Sequence, residues 1–111
     1  MLYQNIKFKK DRVAFLKEKL RTDEEWAVRG LMKLYEFQTN DEKNPEYDTE
    51  GVVNGVGFSR YDRETLTFFA DFWKRKGYLP DKNMRRLLGI MPKYAKQLRK
   101  IADGEQTINK L

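Results

Sequence analysis

Apolar residues recur at helical spacing through most of this chain. Val13, Leu16 and Leu20 stand three and four residues apart, which predicts a first helix from about Lys10 to Leu20. Thr22-Asp23-Glu24-Glu25 reads as a capping box, in which the Thr22 hydroxyl accepts from the Glu25 backbone and the Glu25 side chain returns the bond. Three acidic residues there suit the positive end of a helix dipole. A second helix is therefore expected from Asp23 to about Thr39, with Ala27, Leu31 and Leu34 on one stripe and Trp26, Val28 and Tyr35 widening it. Leu66, Phe69, Ala70 and Trp73 predict a third helix between an Asp62 cap and a Gly77 stop. Phe68 and Phe72 lie beside that stripe, so the helix is expected to be mostly buried, with Lys74-Arg75-Lys76 at the negative end of its dipole. An Asp81 cap then starts a short helix that turns Met84, Leu87 and Leu88 inward and ends at Gly89. Pro92 opens a last helix with Tyr94, Ala95, Leu98 and Ile101 inside, Lys93, Lys96 and Lys100 outside, Arg99 at the edge and Gly104 as its close.

The segment from Asn40 to Tyr61 breaks this rhythm. Its first half, NDEKNPEYDTE, is acidic and contains Pro45, which predicts an exposed loop. Its second half spaces Gly51, Gly55 and Gly57 among valines, and Asn54-Gly55 between Val53 and Val56 is a type I′ turn signal for a short hairpin. The expected fold is all-α: about five helices in one compact bundle spanning residues 1–111, with a helix-turn-helix-like C-terminal pair and a short β-hairpin near Asn54. The tail at 105–111 is expected to fray.

Composition narrows the chemistry. With no Cys and no His, thiolate or imidazole zinc sites, cysteine nucleophiles and Ser-His-Asp triads are excluded. A magnesium nuclease on the loop carboxylates Asp41, Glu42, Glu46, Asp48 and Glu50 is the one familiar enzyme left, and mobile acidic loops rarely position a metal. The expectation is a binding protein with no catalytic residue, metal or cofactor. No apolar run approaches the roughly 18 residues of a membrane span, and MLYQNIKFKKDR lacks a signal-type apolar stretch, so a cytoplasmic location in a host cell is expected.

Charge is unevenly spread over the net +6. Residues 1–40 carry 9 basic and 6 acidic side chains, and residues 41–65 carry 3 and 7. Residues 66–111 carry 11 basic against 4 acidic, so the positive field is concentrated there and draws polyanions. The candidate nucleic-acid contacts are Lys74, Arg75, Lys76, Lys82, Arg85, Arg86, Lys93, Lys96, Arg99 and Lys100. Tyr78, in the loop after the third helix, is the candidate for stacking on unpaired bases, whereas Trp73 and Tyr94 lie on core stripes. The helical pair from Asp81 to Ala102 is close to a helix-turn-helix, although Arg85 stands where a small residue is usual and Pro92 at the entry of the second helix. An ordinary helical hairpin with a solvated lysine face is the competing reading. The glycines from Gly51 to Phe58 offer either an anion nest or a tight turn that packs Phe58 against the helices.

Three separated blocks also share the order of a known pattern. A T-D start and a central tryptophan lead to a Q-T-x-D-E ending (Thr22, Asp23, Trp26, Gln38, Thr39, Asp41, Glu42). An N-G-x-G-F-x-x-x-D segment follows (Asn54, Gly55, Gly57, Phe58, Asp62), then a K-Y-x-x-Q-L helix (Lys93, Tyr94, Gln97, Leu98). The chain thereby resembles a small helical module of bacteriophages and related mobile elements, found alone or attached to helicase- and replication-type proteins. It departs at Ser59-Arg60, where the pattern has a second Asn-Gly-like pair. The resemblance implies a setting in phage nucleic-acid transactions and a polar loop site of Gln38, Thr39, Asn54, Gly55, Gly57 and Asp62. That site either binds a ligand or pins the loop by hydrogen bonds. The function expected is a DNA- or RNA-binding accessory of replication or recombination with backbone-dominated contacts. The alternative is a phage-encoded, anti-CRISPR-like inhibitor that docks on a host defence or replication enzyme.

Overall fold

Leucines one turn apart make the frame. In the computed structural model, which describes residues 3–42 and 57–104, a 3-10 turn at Tyr3–Asn5 leads into α1 (Lys9–Thr22), α2 (Glu24–Glu42), α3 (Arg63–Lys76) and α4 (Asp81–Ile90). A second 3-10 turn, Met91–Tyr94, passes without a break into α5 (Ala95–Ala102). The described residues form helices and no strand. The hairpin near Asn54, most of the acidic loop and the tail from 105 lie outside them.

α1 buries little besides Leu16 and Leu20, and it lays them against α2, α5 and the second 3-10 turn. α2 is the central element: Ala27, Val28, Leu31, Leu34 and Phe37 are buried, and it touches α1, α3, α4 and that turn. Removing a Leu side chain from water contributes about 1.5–3 kcal/mol, so the fully buried Leu20, Leu31, Leu34, Leu66 and Leu87 supply much of the driving force. Gly30 lets the helices close: a Cβ there would fall 2.9 Å from Leu98 Cδ1 and 3.1 Å from Leu20 Cδ2. A mid-helix glycine costs roughly 0.5–1 kcal/mol relative to alanine, and the close approach explains its place.

The α1–α2 junction lies one residue later than the capping box predicts. Thr22 is the last residue of α1, and its hydroxyl donates to the Glu18 carbonyl at 2.7 Å. Asp23, in an extended conformation, caps α2 instead, its Oδ1 accepting from the N–H groups of Glu25 (3.0 Å) and Trp26 (3.4 Å). A short carboxylate reaches those N–H groups as well as the hydroxyl of the preceding residue would.

α3 ends as expected on Gly77, whose φ of 78° is left-handed and whose N–H returns to the Trp73 carbonyl. Its outer side differs from the expected mostly buried helix: Leu66, Phe69 and Ala70 are buried, but Phe68 remains 51% exposed. At the end of the chain, Gly89 does not stop α4; it lies inside the helix, and the turn is displaced to Met91–Tyr94, with Pro92 in its first positions. The buried stripe runs Met91, Tyr94, Ala95, Leu98 and Arg99, so Tyr94, Ala95 and Leu98 lie inside as expected, Arg99 joins them and Ile101 is only half-buried.

Arg99 thus leaves the exposed set, because its NH1 meets Asp103 Oδ2 at 2.8 Å and both side chains are under a tenth exposed. The other carboxylate oxygen of Asp103 accepts from Tyr3 Oη (2.8 Å) and Arg12 NH1 (2.9 Å). Arg12 also donates from Nε to the Ile6 carbonyl at 2.7 Å and lies over the Tyr3 ring. One aspartate therefore fastens the N-terminal turn, α1 and the end of α5 together.

Candidate nucleic-acid interface

The chain re-enters the described region at Gly57, which has a φ of 130° suited to glycine, and its N–H donates to Gln97 Oε1 at 2.8 Å. Phe58 follows, fully buried, stacked on Tyr35 at 6.4 Å between centroids and edge-on to Tyr94 at 6.5 Å. Ser59 then donates its N–H to Tyr94 Oη (3.0 Å) and its hydroxyl to Asp62 Oδ2 (3.2 Å). Tyr94 Oη in turn donates to the same Asp62 oxygen at 2.6 Å, and Lys93 Nζ lies 2.7 Å from it. Asp62 sits at the α3 entrance without a side-chain cap bond; its carboxylate joins residues 59 and 62 to 93 and 94 instead.

These contacts bring the second and third blocks of the pattern together, through Gly57, Phe58 and Asp62 on one side and Lys93, Tyr94 and Gln97 on the other. Ser59, the point of departure, supplies two of the hydrogen bonds. Sequence reading missed this role, and a serine three residues before a helix-entry aspartate is the local signal that carries it. For Gly57 and Asp62 the geometry is that of a pinned segment. Gln38 and Thr39 lie in the last turns of α2, their side chains outside the described residues, as are Asn54 and Gly55.

Burial alone would raise the Asp62 carboxyl, but hydrogen bonds from Lys93 and Tyr94, the Lys93 charge and the Ser59 hydroxyl together hold it below 3.8. Burial, then the bond to Asp62, pushes the Tyr94 phenol up to about 12, and burial with the bond to Asp103 does the same to Tyr3. A depressed carboxyl stabilises the fold above the unfolded value of about 3.9 and loses that contribution as pH falls through its folded value. A raised phenol stabilises fully below about pH 10 and loses its contribution as pH rises through the folded value. Alkaline titration is therefore expected to show the Tyr3 and Tyr94 phenols ionising only near pH 12, with loss of helical circular dichroism, and Tyr94→Phe should remove one such late-ionising group. Ionisation of every phenol with the helices intact would contradict this.

The basic residues divide into two groups. Lys74, Arg75 and Lys76 end α3, Lys82, Arg85 and Arg86 share one face of α4, and Lys93, Lys96 and Lys100 run into α5; all nine are exposed. Lys93 is tied to Asp62, and Lys74 lies over the Tyr35 ring at 5.4 Å. The other seven have no ion-pair partner among the described residues. Arg99 is the exception to the expected set, enclosed with Asp103. Tyr78 is 55% exposed, its ring edge-on to Phe72, while Trp73 is half-buried and Tyr94 is in the core. No cluster of acidic side chains fit for a metal occurs among the described residues, and no helix there is long and apolar enough to cross a membrane. No family model matches the chain, and no curated protein or solved structure matches it.

Proposed function

We propose that this chain is a phage-type nucleic-acid-binding accessory protein that grips the phosphate backbone of DNA or RNA during replication or recombination. The observation that carries the reading is the set of exposed cations from Arg75 to Lys100 that lack a carboxylate partner among the described residues. Unpaired cations on rigid helices meet phosphate without first breaking an internal ion pair, and each releases a counterion when it does. Among the described residues the nine exposed cations are spread over α3, α4, the second 3-10 turn and α5, and seven of them are held by neither a carboxylate nor a ring, which favours contacts dominated by the phosphate backbone with little sequence preference. The phage setting rests on the resemblance of the three blocks.

A salt titration of binding to labelled DNA and RNA tests this. Neutralisation of about six phosphates gives a slope of log affinity against log salt of about −5 on a duplex. The variant Lys82→Ala, Arg85→Ala, Lys96→Ala, Lys100→Ala is expected to weaken binding at low salt and to flatten that slope by about 3. Lys93 is left intact because a substitution there also removes a partner of buried Asp62. Absence of binding at low salt, or a variant with an unchanged slope, defeats the reading and directs attention to a protein partner.

A further inference from the structure

Two aromatic rings at α3 stay outside the core, Phe68 and Tyr78, and both touch Phe72, which is half-buried and packs against the core. Phe68, half-exposed, contacts Phe72 at 6.1 Å between centroids, and Phe72 meets exposed Tyr78 at 5.6 Å in an edge-on arrangement. Arg75 and Lys76 stand seven and eight residues after Phe68, on the same side of the helix and both exposed. From α4, Asn83 and Arg86 approach the Phe68 edge across an open groove of about 400 Å³ that also holds Phe69 and Glu64. Two exposed rings joined through a half-buried third, bordered by exposed guanidinium and ammonium groups, match a ligand that alternates flat apolar units with negative charge.

We propose that the Phe68–Phe72–Tyr78 face is a stacking platform for unpaired bases, so that the nucleic acid bound is single-stranded. The inference rests on the polyanion reading above and adds the strand type and the residues that select it. A duplex hides its base faces and offers these rings nothing, whereas a single strand can lay bases on Phe68 and Tyr78 while Arg75, Lys76 and Arg86 meet its phosphates. Glu64, one turn before Phe68 in the same groove, repels phosphate there and limits the path. Charge decides for this occupant over a neutral apolar partner, because burying those cations against an uncharged surface leaves them without counter-charge.

The test compares an oligothymidylate with an abasic strand of equal length and charge, by fluorescence anisotropy at several salt concentrations. The wild-type protein is expected to bind the oligothymidylate about tenfold or more tightly than the abasic strand, the range set by base–aromatic stacking. Phe68→Ala with Tyr78→Ala, and separately Phe68→Leu with Tyr78→Leu, are expected to abolish that difference and leave the salt slope unchanged. The leucine pair keeps an apolar covering, so it separates loss of rings from loss of structure. Equal, salt-sensitive binding of both strands by the wild type leaves the phosphate-binding reading intact and overturns the platform. Discrimination that survives in both variants also overturns it. If neither strand binds at low salt, both readings fall. A dimer that dissolves in the two variants, without strand discrimination, gives the face to a second copy of the chain and overturns the proposal.

Discussion

Phe58→Ala is expected to lower stability by about 3–5 kcal/mol, the range for truncating a fully buried phenylalanine. The ring is fully enclosed between Tyr35 and Tyr94, and it is the apolar anchor that brings the segment after residue 56 onto α2 and the second 3-10 turn. Its loss leaves a cavity and slackens the neighbouring bonds from Gly57 to Gln97 and from Ser59 to Tyr94. Urea unfolding followed by tryptophan fluorescence measures the change, and hydrogen exchange at the Gly57 and Ser59 amides should accelerate in the variant. Phe58→Leu, which keeps much of the volume, is expected to cost less. A loss below about 1 kcal/mol would mean that the segment is not docked as described.

Asp103→Ala is expected to cost about 3 kcal/mol, at the lower end of the range for removing one partner of a buried ion pair. The substitution strips the enclosed Arg99 guanidinium of its carboxylate and releases Tyr3 and Arg12 as well. Leaving a charge buried and unpaired costs more than the pair itself contributes. The double variant Arg99→Leu, Asp103→Ala is therefore expected to recover part of the loss, with a coupling on the order of 1–3 kcal/mol. High salt should alter the wild-type value little, because screening acts weakly on enclosed charges. Additive losses in the two single variants would refute the coupling.

Both substitutions bear on how the proposed binding surface is to be tested. Two basic residues, Arg12 and Arg99, work inside the fold with Asp103, and Lys93 is paired with Asp62. Substitution of Arg99 or Lys93 would therefore weaken any interaction by loosening the fold, and the loss would be misread as a binding contact. Lys82, Arg85, Lys96 and Lys100 are exposed and unpaired among the described residues, and their removal changes charge with little change in packing.

Sequence alone determined what depends on neighbours three or four residues away. The stripes Leu16–Leu20, Ala27–Leu31–Leu34 and Leu66–Phe69–Ala70 are local periodicities, and they are buried as their spacing predicts. The left-handed stop at Gly77 needs only a residue without a Cβ, which the sequence states outright. Tertiary structure decided the partners of single polar groups. Asp62 looks like a helix cap, but its oxygen is taken by Tyr94, 32 residues on, and Asp103 holds Tyr3, 100 residues back. No short-range rule reaches across such separations. The burial of Arg99 was hidden for the same reason: it is enclosed with Asp103, whose carboxylate also gathers Tyr3 and Arg12 from the other end of the chain. Phe68 shows the converse. Its composition argues for burial, and its exposure follows from α3 having α2 on only one of its sides, so one stripe of rings is left facing outward.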